Sequence, residues 1–216
     1  MKTVVMTEEL YDYIQKHYAS GEMIFSELFE ETERLGIPMI QISPDQGKFL
    51  YMLARMLGAK YALEIGTLTG YSAIHIARVL AQGGMLTTVD IERKHSEVAE
   101  KYFEKAGVAD KTTAVTSGAI EFMKTLADEG RKFDLIFIDA DKTGYKAYFE
   151  LALKLSHSGT VMIFDNMLKG GRVAEPTESD PDLDAIREMN ELIPNDKRVE
   201  SLLMTIGDGF TLCRVV

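Results

Sequence analysis

From residue 61 onward the chain alternates short apolar runs with amphipathic stretches, and no other feature narrows its possible folds as much. The runs at 61–65, 85–89, 112–116, 133–138 and 160–164 have the length and apolar density of buried strands. Between them, 72–81, 94–106, 119–129 and 145–155 place apolar residues at helical spacing. Strand, helix, strand at this interval predicts a mostly parallel sheet with crossover helices on both faces. The ending departs from the rhythm. After a helix near 183–193, the runs 201–206 and 210–215 are joined by Gly207-Asp208-Gly209, a hairpin signal that makes the last pair antiparallel.

Ahead of this core the first sixty residues read as three helices. Thr7 can cap the first, with Glu8 and Glu9 suited to the positive end of its dipole. Ser20-Gly21 breaks it, and a second helix runs to Leu35 before Gly36 and Pro38. Ser43-Pro44-Asp45-Gln46 opens the third with an N-cap, a proline at the first helical position and a capping-box partner. The 216 residues suffice for one domain with a real core. With 34 acidic against 24 basic side chains the net charge is −10, the reverse of a generic nucleic-acid or anionic-membrane binder. One cysteine, Cys213, excludes an internal disulfide and any multi-cysteine zinc site. No signal-peptide pattern and no membrane-length apolar run are present, so the expectation is a cytoplasmic protein.

In open α/β sheets ligands gather at the carboxyl ends of the strands. The first strand ends in Glu64-Ile65-Gly66-Thr67-Leu68-Thr69-Gly70-Tyr71-Ser72, a glycine loop entering a helix. It lacks the Gly-Lys-Ser/Thr of a phosphate loop, and Glu64 would repel a pyrophosphate while suiting an amine-bearing ligand. The second strand ends at Asp90, which alone reads equally as a helix cap or a ribose ligand; beside the Glu64 loop the ribose reading prevails. Ser117-Gly118-Ala119 offers backbone against which an adenine ring can lie. Phe133 to Ile138 runs straight into Asp139-Ala140-Asp141-Lys142, and the next strand into Asp165-Asn166. Asp139, Asp165 and Asn166 thus form an all-oxygen cluster suited to Mg²⁺, Ca²⁺ or Mn²⁺ rather than zinc. The histidines His17, His75, His95 and His157 show no ligand spacing. Lys142, three residues past Asp139, reads as a surface lysine by itself; beside a bound cation its ammonium form is disfavoured and it can serve as a base.

These segments, with Ala106-Gly107-Val108, Asp165-Asn166-Met167-Leu168 and Ile206-Gly207-Asp208-Gly209, resemble the metal-dependent class I S-adenosylmethionine O-methyltransferases. That group comprises the catechol and caffeoyl-CoA O-methyltransferases and their bacterial relatives. The resemblance runs from about residue 36 to the C-terminus. It implies the Rossmann-like class I methyltransferase fold: a mostly parallel seven-stranded sheet with an antiparallel C-terminal hairpin strand, helices on both faces and extra N-terminal helices. Residues 1–216 would form one methyltransferase domain, 1–58 contributing to the substrate side and 59–216 making the cofactor-binding core.

By the same resemblance, Glu64 holds the methionine amino group, Gly66 and Thr67 line the cofactor, and Ser72 and the backbone of Ile42 meet its carboxylate end. Asp90 is the ribose acid, Ile91 an adenosine wall, and Gly118 and Ala119 the adenine contact. Asp139, which also borders the cofactor, joins Asp165 and Asn166 as metal ligands, Mg²⁺ first, and Lys142 is the general base. The implied partner is a small phenolic substrate of the catechol type, and the implied assembly a homodimer. Lys169 stands where the plant caffeoyl-CoA group often has tryptophan, and the substrate wall (38–42 and 167–180) is left unassigned. Three other readings stay open: a tRNA hydroxyuridine O-methyltransferase using a patch around Lys169 and Arg172, a nicotinamide dehydrogenase, and a non-catalytic nucleotide- or metal-binding module. The dehydrogenase would want the missing G-x-G-x-x-G turn.

Overall fold

A computed structural model describes residues 4–19 and 21–216. Ser20 of the expected Ser20-Gly21 break, and the first three residues of the leader reading, lie outside them. Three helices precede the sheet: α1 (Glu8–Tyr18), α2 (Met23–Arg34) and α3 (Pro44–Leu57). Thr7 caps α1, accepting from the Leu10 N–H at 3.3 Å. Ser43 and Gln46 form the capping box of α3, and Gly58 ends it in the left-handed region at φ 61°.

The alternating part follows as β1 (Tyr61–Ile65), α4 (Tyr71–Ala77), β2 (Met85–Asp90), α5 (Arg93–Lys105), β3 (Thr112–Thr116), α6 (Ala119–Asp128), β4 (Phe133–Ile138), α7 (Tyr145–Lys154) and β5 (Ser156–Phe164). Then come α8 (Pro181–Asn195), β6 (Val199–Met204) and β7 (Phe210–Val215). The strands form one sheet in the order β3-β2-β1-β4-β5-β7-β6. β1 to β5 are mutually parallel, while β7 pairs antiparallel with both β5 and β6. The expected reversed hairpin is there.

Because side chains alternate across a strand, each buried strand feeds two cores. Leu135 and Phe137 of β4 pack with Leu50, Ile74 and Phe103 on one face. Ile136 and Ile138 pack with Met123, Phe149 and Met189 on the other. This is why β4 reads as an almost unbroken apolar run.

Most boundaries fall within two residues of expectation, and three shifts have a visible cause. The helix expected over 72–81 stops at Ala77, because the next residues turn back to the sheet: the Ala81 N–H donates to the Ala59 carbonyl at 2.8 Å. β5 begins at Ser156 rather than Thr160, since Ser156 pairs with Phe133 across a register shift. β6 runs over Val199–Met204 rather than 201–206; Val199 is buried opposite Val215, and Ile206 is taken into the turn.

Candidate active site

The sheet register brings the strand ends into line. Ile65 lies beside both Val89 and Ile138, and Ile138 beside Phe164. The ladder continues one step past them: Gly66 N–H donates to Val89 O (2.9 Å), Asp139 N–H to Ile65 O (2.8 Å) and Asp165 N–H to Ile138 O (3.0 Å). Gly66, Asp90, Asp139 and Asp165 therefore share one rim. Gly66 sits at φ 98°, and a Cβ there would lie 1.9 Å from the Asp139 carbonyl oxygen, so only glycine lets the two loops close on each other.

Over this rim opens a cavity of about 810 Å³. Ile42, Gly66, Thr67, Ser72, Asp90, Ile91, Gly118, Ala119, Asp139, Lys142 and Asn166 all line it. Glu64 and Asp165, the other two expected residues, lie just beneath its surface, 0% and 2% exposed.

Glu64 is caged by hydroxyls. Ser72 Oγ donates to its Oε1 at 2.5 Å and Thr88 Oγ1 to its Oε2 at 2.6 Å. Burial pushes its carboxyl up to about 7, against the opposing pull of those two hydrogen bonds. An acid so placed gains from a cation entering above Ser72. Asp90 is held by backbone donors from both loops beside it. Its Oδ1 accepts from the Glu92 N–H (2.9 Å), the N-cap residue of α5, and its Oδ2 from the Leu68 N–H (2.8 Å). That second bond holds Leu68 at φ 45°, a conformation uncommon outside glycine.

At the other end of the rim, Lys142 is 8% exposed and its Nζ donates to Asp139 Oδ1 and to the Tyr145 hydroxyl, both at 2.8 Å. The Tyr145 O–H in turn donates to the Asp165 carbonyl at 3.0 Å. Asp165 carries no ion-pair partner among the described residues; burial first, then the Asp139 charge, raises its carboxyl well above the usual range. Its two hydrogen-bond donors, the Asn166 N–H (2.6 Å) and Gln46 Nε2 (3.0 Å), both reach Oδ1, which leaves Oδ2 available. Asn166 is held at φ 57°, in the left-handed region that asparagine adopts more readily than most residues. Among the described residues no three His, Cys, Asp or Glu side chains converge as a ligand set. Two carboxylates and an amide, all oxygen donors with Lys142 paired to one of the two acids, fit a hard divalent cation.

Sequence reasoning did not single out several residues here. Tyr145 bridges Lys142 to the next strand. His95 lines the cavity with its Nδ1 3.1 Å from Asp90 Oδ1. Asp208, read only as a turn residue, accepts from the Gly170 N–H at 2.6 Å and lies 3.4 Å from Asn166 Nδ2. Gln46 was visible solely as a helix cap. Each gains its role from a partner that local patterning does not reveal. Lys169 and Arg172, the basic patch of the RNA reading, are both neutralised: Lys169 by Asp182 (3.1 Å), Arg172 by Glu178 (2.5 Å) and Asp180 (2.7 Å).

A family model described as O-methyltransferase matches residues 15–216. The chain belongs to that O-methyltransferase family. A catechol O-methyltransferase of Niastella koreensis is 37% identical over 97% of this chain and 100% of its own length. A caffeoyl-CoA O-methyltransferase of Populus kitakamiensis is 35% identical over 99% of this chain and 96% of its own. Among solved structures, the O-methyltransferase from Bacillus cereus in complex with SAH superposes with a TM-score of 0.89 at 37% identity, covering 95% of this chain and 96% of that one. The seven-stranded sheet with its reversed last strand is thus the class I methyltransferase fold of this O-methyltransferase. No helix among the described residues is long and apolar enough to cross a membrane.

Proposed function

We propose that this O-methyltransferase moves the methyl group of S-adenosylmethionine to one hydroxyl of a small catechol-like acceptor, with Lys142 as general base and a divalent cation, Mg²⁺ first, at Asp139, Asp165 and Asn166. The observation that carries the reading is the rim itself. A buried acid under a hydroxyl (Glu64 beneath Ser72) and an acid at the second strand end (Asp90) suit the amino and ribose groups of the methyl donor. Thr67, Gly66 and the backbone of Ile42 would line the donor, with Ile91, Gly118 and Ala119 around its adenosine end. The carboxylate cluster and lysine sit at the opposite end of the same cavity. The relatives and the SAH complex point the same way.

The chemistry asks little of the protein beyond alignment and a proton acceptor. The donor's methyl is already activated by its sulfonium. An acceptor hydroxyl beside Lys142 gives up its proton to Nζ; its oxygen forms the new C–O bond as the C–S bond breaks. A divalent cation at the cluster would supply positive charge that makes such a hydroxyl more acidic. Asp139 and Tyr145 hold the lysine in place from two sides. Residues 1–58 would contribute the acceptor side through Ile40 and Gln41, and 59–216, with the backbone of Ile42, the donor site. The paired state of Lys169 and Arg172, with Asp182 and Asp208 beside them in the cavity wall, disfavours a polyanionic acceptor such as RNA.

Label transfer from S-adenosylmethionine to caffeic acid, a simple catechol, a monophenol and hydroxyuridine-bearing tRNA, each with and without EDTA, tests the reading. Transfer to the vicinal diols alone, abolished by EDTA and restored by Mg²⁺, is the expected result. Label in tRNA only, or EDTA-insensitive transfer to the monophenol, would overturn it.

A further inference from the structure

Gln46 is the third residue of α3, far from the sheet rim in sequence, and it is 3% exposed. Its carboxamide is engaged at both ends. Oε1 accepts from the Ser43 N–H and from Ser43 Oγ, each at 2.9 Å. Nε2 donates to Asp165 Oδ1 at 3.0 Å. The partners fix which way the amide faces, since a backbone N–H can only donate and a carboxylate can only accept. The third side of the carboxamide is closed by the C-terminal hairpin: a Cβ on Gly207 would fall 2.2 Å from Gln46 Cδ. A helix cap needs only the first of these contacts. Burying the amide against Asp165 and under Gly207 goes beyond capping.

We propose that Gln46 is a positioning residue for the cation site: it holds Asp165 by Oδ1 so that Oδ2 keeps one orientation toward a bound divalent metal. This rests on the cation reading of Asp139, Asp165 and Asn166. The Asn166 N–H already holds Oδ1 from the backbone side, and Gln46 holds it from α3, so two donors restrain the carboxylate plane. The same side chain ties the site to the α3 N-cap, whose neighbour Ile42 lines the cavity. Groups that orient a metal ligand without touching the metal typically change affinity by about 10- to 100-fold when removed.

The test is Mn²⁺ binding by the intact chain in the presence of S-adenosylhomocysteine, read from the electron paramagnetic resonance of free Mn²⁺. Gln46→Met keeps the volume and removes the amide. Ala54→Gly, in the same helix and away from the site, loosens α3 without touching Asp165 and controls for a purely structural effect. Expected is about 10- to 100-fold weaker Mn²⁺ binding by Q46M, with metal-free S-adenosylhomocysteine affinity within about threefold of the parent, and parental Mn²⁺ affinity in A54G. Parental Mn²⁺ affinity in Q46M, or an equal loss in A54G, would overturn the positioning role while leaving the cation site standing. Absence of Mn²⁺ binding by the parent chain would instead remove the cation reading, and this role with it.

Discussion

Lys142 is held by an acid on one side and a phenol on the other, nearly buried, at the end of the cavity where the carboxylates gather. Lys142→Ala removes the proposed proton acceptor and leaves the proposed donor half intact. Its kcat should fall by roughly 10²–10⁴-fold with S-adenosylhomocysteine affinity nearly unchanged, measured by steady-state kinetics and calorimetry. Glu64 calls for a pH experiment. Burial raises its carboxyl to about 7, so without a cationic partner its ionised form is disfavoured. An acid whose folded value is raised contributes stability below its unfolded value and loses it as pH climbs through the folded one. An ammonium ligand reverses the sign, because it binds the ionised form. S-adenosylhomocysteine affinity should therefore rise about tenfold from pH 6 to pH 8, and Glu64→Gln should flatten that profile.

At the scale of elements, the rim depends on loops that close without side-chain bulk. Gly66→Ala places a methyl onto the Asp139 carbonyl at a φ unsuited to it. A loss of roughly 2–5 kcal/mol, seen as a lower melting temperature, and loss of S-adenosylhomocysteine binding are expected. Strands were legible because a doubly covered strand such as Phe133–Ile138 must be apolar on both faces, and the polar residue that follows marks where it leaves the core. Asp139, Asp165 and Asn166 were readable for that reason. α4 was overextended because its sequence keeps helical spacing, while the chain leaves the helix to bond Ala81 to Ala59. Gln46 and Asp165 are 119 positions apart, and nothing in the local pattern of either announces the other. Asp208 looked like any turn aspartate until its contacts with Gly170 and Asn166 were seen.

For the molecule as a whole, the donor half of the cavity draws on β1, β2 and the starts of α4 and α6, so a ligand there fastens several elements at once. Ligand present at 100 times its Kd adds about 2.7 kcal/mol to folding. For a chain of this size that corresponds to a rise of roughly 5–10 °C in melting temperature with S-adenosylhomocysteine, read by differential scanning calorimetry. No rise would count against the donor assignment. The outer wall of the cavity comes from elsewhere: Ile40 and Gln41 precede the first strand, and Lys169 and Asp182 lie between β5 and β6. Neither stretch supplies a backbone ladder to the sheet. With the acceptor docking where we propose, drift in these two segments would retune which acceptor fits while the apparatus that presents the methyl group is inherited unaltered, so that one scaffold can serve a lineage of enzymes with diverging appetites.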